Sequence, residues 1–69
     1  MEKRSLSIAG HRTSIALEPE FWAALEGMAR DRGMAIAALI REIDETRQTP
    51  NLSSAVRLAA LRWYQARVP

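Results

Sequence analysis

The stretch His11-Arg12-Thr13-Ser14-Ile15-Ala16-Leu17 constrains the fold most, because it is the one strong strand pattern in a chain whose other periodicities are helical. Successive strand side chains point to opposite sides, so Thr13, Ile15 and Leu17 share one face and Arg12, Ser14 and Ala16 the other. The first face suits a core. The second offers a cation, a hydroxyl and a methyl. A single strand cannot satisfy its own backbone N–H and C=O groups. It needs a partner strand, either from earlier in the chain or from a second copy of it.

Upstream, Leu6 and Ile8 alternate with Ser5, Ser7 and Ala9, a weaker strand pattern. Two readings stay open for residues 5–9. They fold back on the main strand as a hairpin, with Gly10 supplying a positive φ, or they form an arm that orders only on a partner. Downstream, Glu18-Pro19-Glu20 ends the strand and starts a helix: proline suits the first helical position and the acids favour the positive end of the helix dipole. Phe21, Trp22, Leu25, Met28 and Ala29 then fall on one helical face, which predicts helix 1 over 19–32, stopped by Gly33. Ile36, Leu39, Ile40 and Ile43 repeat at helical spacing and predict helix 2 over 35–46, with Arg41, Glu42, Asp44 and Glu45 opposite. Gln48-Thr49-Pro50-Asn51 is turn chemistry. Helix 3 is expected over 52–66, with Asn51 or Ser53 as its N-cap. Its apolar residues, Val56, Leu58, Ala59, Ala60, Leu61 and Trp63, surround most of the circumference and imply burial on more than one side.

With 69 residues the chain has room for one domain, 1–69, and one small core. Chains this short are marginal alone, and disulfides, metals or oligomerisation usually compensate. Cysteine is absent and His11 is the only histidine, which excludes disulfides, thiolate sites and histidine-based metal clusters. Oligomerisation is the remaining remedy. No apolar run approaches the ~20 residues of a membrane span, and no secretory h-region follows the basic start, so a cytoplasmic protein without a membrane role is expected. Net charge is only +2, but it is unevenly spread. Lys3, Arg4 and Arg12 outweigh Glu2 at one end, and Arg57, Arg62 and Arg67 stand without acids at the other. Basic ends suggest an anionic partner.

No catalytic constellation is present. Ser5, Ser7, Ser14, Ser53 and Ser54 lack a triad partner, because the sole imidazole belongs to the strand region. No glycine-rich phosphate loop exists. The expectation is a non-enzyme with no cofactor, no metal and no small-molecule substrate.

The order of strand, proline turn, helix, glycine turn and helix over residues 11–45 resembles the ribbon-helix-helix family of bacterial DNA-binding proteins, the group of the Arc and MetJ repressors. It is most similar to a bacterial branch of short members that share Lys3-Arg4-Ser5 through Gly10-His11-Arg12-Thr13-Ser14 and, later, Asn51-Leu52-Ser53-Ser54-Ala55. The resemblance implies a mainly α fold with a short β-ribbon and, here, a third C-terminal helix. It also implies an intertwined homodimer in which two copies pair their strands as an antiparallel ribbon. Such a ribbon fits the DNA major groove, which is about 12 Å wide. Carried over, the base-contacting set is Arg12, Ser14 and Ala16. Phosphate would be held by Lys3, Arg4 and His11 and by the amides near Ala35 and Ile36 at the start of helix 2. There the usual Ser or Thr cap is missing from Gly33-Met34-Ala35-Ile36. The dimer core would comprise Thr13, Ile15, Leu17, Trp22, Leu25, Leu39, Ile40 and Ile43.

The expected function is a sequence-specific DNA-binding repressor of transcription whose partners are double-stranded DNA and a second copy, with a higher oligomer through helix 3. A protein-interaction or assembly module on the same fold, or an antitoxin of a toxin–antitoxin pair, are the alternatives.

Overall fold

The computed structural model describes residues 1–67. Two strands, β1 (Glu2–Ile8) and β2 (His11–Leu17), precede three helices, α1 (Pro19–Arg32), α2 (Ile36–Thr46) and α3 (Leu52–Arg67). β1 and β2 form a two-stranded antiparallel ribbon in which Glu2 faces Leu17, Ser5 faces Ser14 and Ile8 faces His11.

The hairpin therefore settles the choice left open by the sequence, and both strands of the ribbon come from one chain. The reversal is made by Ala9 and Gly10, whose φ values are 52° and 83°. A two-residue turn with both central residues at positive φ matches the right-handed twist of the flanking strands. Gly10 adopts this region freely, whereas alanine in it costs roughly 1–2 kcal/mol. Of the two partners open to the main strand, the earlier segment of the same chain pairs with it, because the turn is short enough and Leu6 and Ile8 have apolar surface to bury with it.

The helices start and stop for local reasons. Pro19 occupies the first turn of α1, and the Glu18 carbonyl accepts the amides of Phe21 at 2.9 Å and Trp22 at 3.2 Å. Gly33, at φ 65°, closes the helix: its amide donates to the Arg30 carbonyl and that of Met34 to the Ala29 carbonyl. This is the paired bonding that a left-handed residue after a helix permits. α3 is capped by Asn51, whose Oδ1 accepts the Ser54 amide at 3.1 Å.

The core lies between the inner face of the ribbon and the three helices. Trp22, Leu17, Leu25, Leu39, Ile40 and Val56 are its largest fully buried side chains. Each contributes about 1.5–3 kcal/mol of burial. Ile8, Ile15, Ala24, Met28, Ala29 and Ala60 complete it, with Leu6, Phe21, Ile36, Ile43 and Trp63 half-buried against it. The residues expected to seal a dimer lie in or against this core of the single chain. Ile15, Leu17, Trp22, Leu25, Leu39 and Ile40 are buried inside one chain, and Thr13 and Ile43 are half-buried. A strand paired within its own chain already has helices of that chain against its apolar face.

The third helix packs one of its apolar sides within the chain. Ala55, Val56 and Ala60 are buried on one side. Leu58, Leu61 and Tyr64 are 44%, 49% and 51% exposed, so only one side is covered in the single chain. Near its end, Trp63 lies over Gly27 of α1, where an added Cβ would stand 3.1 Å from the ring edge. The glycine, which weakens a helix interior by about 1 kcal/mol, lets α3 approach α1 closely.

The turn gives a direct test. Ala9→Asn keeps the geometry with a residue that tolerates positive φ. It is expected to raise stability by about 1 kcal/mol in urea denaturation, whereas a substitution without gain would mean that the turn does not hold the ribbon together.

Candidate nucleic-acid interface

Alternation along the hairpin divides its side chains into two sets. Glu2, Arg4, Leu6 and Ile8 of β1 lie opposite Leu17, Ile15, Thr13 and His11 of β2. This set contains the buried Ile8, Ile15 and Leu17 and faces the helices. The other set is Lys3, Ser5 and Ser7 opposite Ala16, Ser14 and Arg12. All of these are exposed except Ala16, which is half-buried. The outward face thus carries two cations, three hydroxyls and a methyl, with no acid among them.

Adjacent basic residues are separated by this geometry. Lys3 points outward beside Ala16. Arg4 points toward α1, where its guanidinium donates to Glu2 Oε2 at 2.6 Å, approaches Glu26 Oε2 at 3.5 Å and stacks over the Trp22 ring at 4.5 Å. The bond to Glu2 is the chief cause that raises its pKa, ahead of the cost of desolvation. Trp22 Nε1 in turn donates to the Glu2 carbonyl at 2.8 Å. Arg4 therefore pins β1 to α1, and its cation already has partners within the chain. His11 is exposed at the turn end of the ribbon, in register with Ile8 and not on the Arg12 face.

Ion pairing sorts the other cations. Arg32 pairs with Glu42, Arg41 with Glu45, Arg47 with Asp44, Arg57 with Glu18 and Arg67 with Asp31. The Glu18 carboxyl is held below the usual carboxylate range, first by its own backbone amide and then by the Arg57 guanidinium. Lys3, Arg12, Arg30 and Arg62 have no ion-pair partner among the described residues. Two of these four are on the outward face of the ribbon.

The start of α2 is a second place open to an anion. Ala35 is its N-cap, in an extended conformation with no side-chain cap, and no acid occupies the first turn. The Ala35 carbonyl accepts the Leu39 amide at 3.1 Å. The amides of Ile36, Ala37 and Ala38 begin the helix with no acceptor in the preceding chain, and free amides with the helix dipole favour negative charge. The structure thus brings Arg12, Ser14, Ala16 and Lys3 onto one face, and places Ala35 and Ile36 at the separate helix terminus. Arg4 and His11 fall on the other side of the ribbon. Sequence reasoning confined the outward face to β2. Ser5 and Ser7 also lie on it, and their alternation with Leu6 and Ile8 was the signal.

Residues 1–64 match the family model of the ribbon-helix-helix domain, and the chain belongs to that family. The fold of this family is that of DNA-binding transcription regulators, which generally bind DNA as dimers and are typically not enzymes. No curated protein and no solved structure matches the chain. No helix among the described residues is long and apolar enough to cross a membrane.

The two neighbouring cations are separable by experiment. Arg4→Ala removes a stack and two carboxylate contacts at a part-exposed site and is expected to cost about 1 kcal/mol of stability. Lys3→Ala should leave the melting curve unchanged. Equal effects in thermal denaturation would contradict the assignment of the two side chains to opposite faces.

Proposed function

We propose that the protein is a sequence-specific DNA-binding regulator, a repressor of transcription that inserts its β-ribbon into the major groove. The observation that carries this reading is the acid-free outward face on which Lys3 and Arg12 stand unpaired. Arg12 can donate two hydrogen bonds to a guanine edge, Ser14 can donate or accept, and the Ala16 methyl can meet a thymine methyl. Lys3 and the amides around Ile36 hold phosphate, which positions the ribbon without reading sequence. A ribbon seated in the groove competes with other proteins for the same base edges, which is the basis of repression.

The active form in this reading is a cytoplasmic bacterial homodimer, with Leu58, Leu61 and Tyr64 of α3 as apolar surface available to further association. Sedimentation at micromolar concentration is expected to give twice the mass of one chain. A concentration-independent monomer would remove the dimer from the account.

An interaction or assembly module on the same fold is favoured by one specific feature, the exposed apolar side chains of α3 together with the half-buried Ile43 beside them. The antitoxin reading has less support. No specific feature of the described residues favours it: α3 packs Val56 and Ala60 into the core.

Selection from a random duplex pool, followed by titration of variants at several salt concentrations, tests the leading reading. Arg12→Ala should lose roughly 1–3 kcal/mol of discrimination between the selected and random duplexes per half-site. Lys3→Ala should weaken binding to every duplex alike and flatten the salt dependence by about one unit of slope. If the wild type selects no sequence and binds no duplex at low salt, the interaction-module reading replaces it.

A further inference from the structure

We propose that the groove between the end of α2 and α3 docks an acidic, amphipathic segment of another protein, with an apolar side chain set on Ile43 and Leu58 and a carboxylate set on Arg62. The inference goes beyond the DNA-binding reading and does not rest on it, because none of the residues lining the groove belongs to the ribbon. The groove has a volume of about 400 Å³. Ile43 of α2 and Ala55, Leu58 and Ala59 of α3 give it apolar surface, and Arg47 and Arg62 add two cations. No acid lines it.

The two arginines differ in what they have left to bind. Arg47 donates to Asp44 Oδ1 at 2.7 Å and to the Thr49 carbonyl at 2.8 Å, so it is held as part of the wall. Arg62 has no ion-pair partner among the described residues. Helical spacing gives the reason. Its neighbours three and four positions away on α3 are Leu58, Ala59, Gln65 and Ala66, and none is an acid. All of α3, Leu52–Arg67, is without Asp or Glu. Its other arginines take carboxylates from other parts of the chain, Arg57 from Glu18 and Arg67 from Asp31. Arg62 is left as an unpaired cation at the edge of an apolar groove.

That combination decides between occupants. A second copy related by a two-fold axis would bring this patch against itself. Arg62 would then meet another acid-free helix, and juxtaposed like charges disfavour such a contact. A DNA backbone could meet the arginine, but phosphate and sugar contacts are polar and give Ile43 and Leu58 nothing to be buried against. Small-molecule sites enclose most of their ligand, whereas Leu58 and Arg62 are exposed and leave this groove open on one side. An amphipathic helix meets all of these conditions. Such a helix lays apolar anchors at helical spacing into a groove. It can cover Leu58 and the equally exposed Leu61 three positions on, while an acid on its flank reaches Arg62.

Two synthetic helical peptides provide the test. Both carry leucine alternately at every third and fourth position, with glutamate at the flanking positions of one and lysine at those of the other. Titrated into the labelled full chain, the acidic peptide is expected to shift the amides around Ile43, Leu58 and Arg62. The basic peptide is expected to bind roughly tenfold more weakly. Arg62→Glu is expected to abolish that preference, weakening the acidic peptide by roughly three- to tenfold. Leu58→Gln should weaken both peptides by roughly three- to tenfold. Both positions are exposed, so the variants should keep the melting curve and sedimenting mass of the wild type.

A preference for the acidic peptide that survives Arg62→Glu would overturn the inference, as would a wild type that binds neither peptide. A lower sedimenting mass for Leu58→Gln would show that a second copy covers the groove and overturn it. Weaker binding of a random-sequence duplex by Arg62→Glu, without peptide binding by the wild type, would assign Arg62 to phosphate and overturn it too. A wild type that binds the acidic peptide through Arg62 but selects no duplex would sustain this inference while the DNA-binding reading fails.

Discussion

The pairing of β1 with β2 is the constraint on which the rest of the structure depends. An isolated strand has no acceptors for its amides and no donors for its carbonyls. Antiparallel pairing from Glu2–Leu17 to Ile8–His11 supplies them within one chain along one edge of each strand. The same ladder fixes which side chains face inward. A register shifted by one residue would expose Ile15 and Leu17 and turn Arg12 and Ser14 toward the helices. Core and candidate interface are therefore two sides of a single choice. The choice is enforced by burial of Ile8, Ile15 and Leu17 and by a turn that places alanine at positive φ.

Electrostatics follows from that choice. Arg4, on the inner side, is neutralised by Glu2 and Glu26, and most helix arginines pair with a nearby acid. These exposed pairs contribute little stability singly. Their larger effect is to quench positive potential over the helices. Lys3 and Arg12, left without such partners on the ribbon, then dominate the field at the face that would approach an anion. A chain whose net charge is only +2 can in this way present a locally cationic surface.

Much of this was legible in the sequence. The helical spacing of Trp22, Leu25 and Met28, and of Ile36, Leu39 and Ile40, located α1 and α2. Proline and glycine bounded α1 as their φ preferences require. The hairpin was not decidable, because its turn needs two residues at positive φ and only Gly10 signals one. Alanine at the other position carries no such mark. In sequence alone Lys3 and Arg4 are equivalent neighbours, and only alternation along a real strand separates them. The apolar residues of α3 imply burial on more than one side, yet apolar sequence measures what can be buried and not what covers it. Inward-facing strand residues likewise look the same whether the helices packed against them belong to one chain or two.

The central proposal is that the outward face of the ribbon and the start of α2 meet DNA. Backbone amide NMR of the labelled protein, titrated with its selected duplex, tests it most directly. The account predicts that the largest shift changes fall on Lys3, Ser5, Ser7, Arg12, Ser14 and the first amides of α2, with Leu58, Leu61 and Tyr64 little affected. Changes concentrated on α3, with the ribbon amides unmoved, would contradict it.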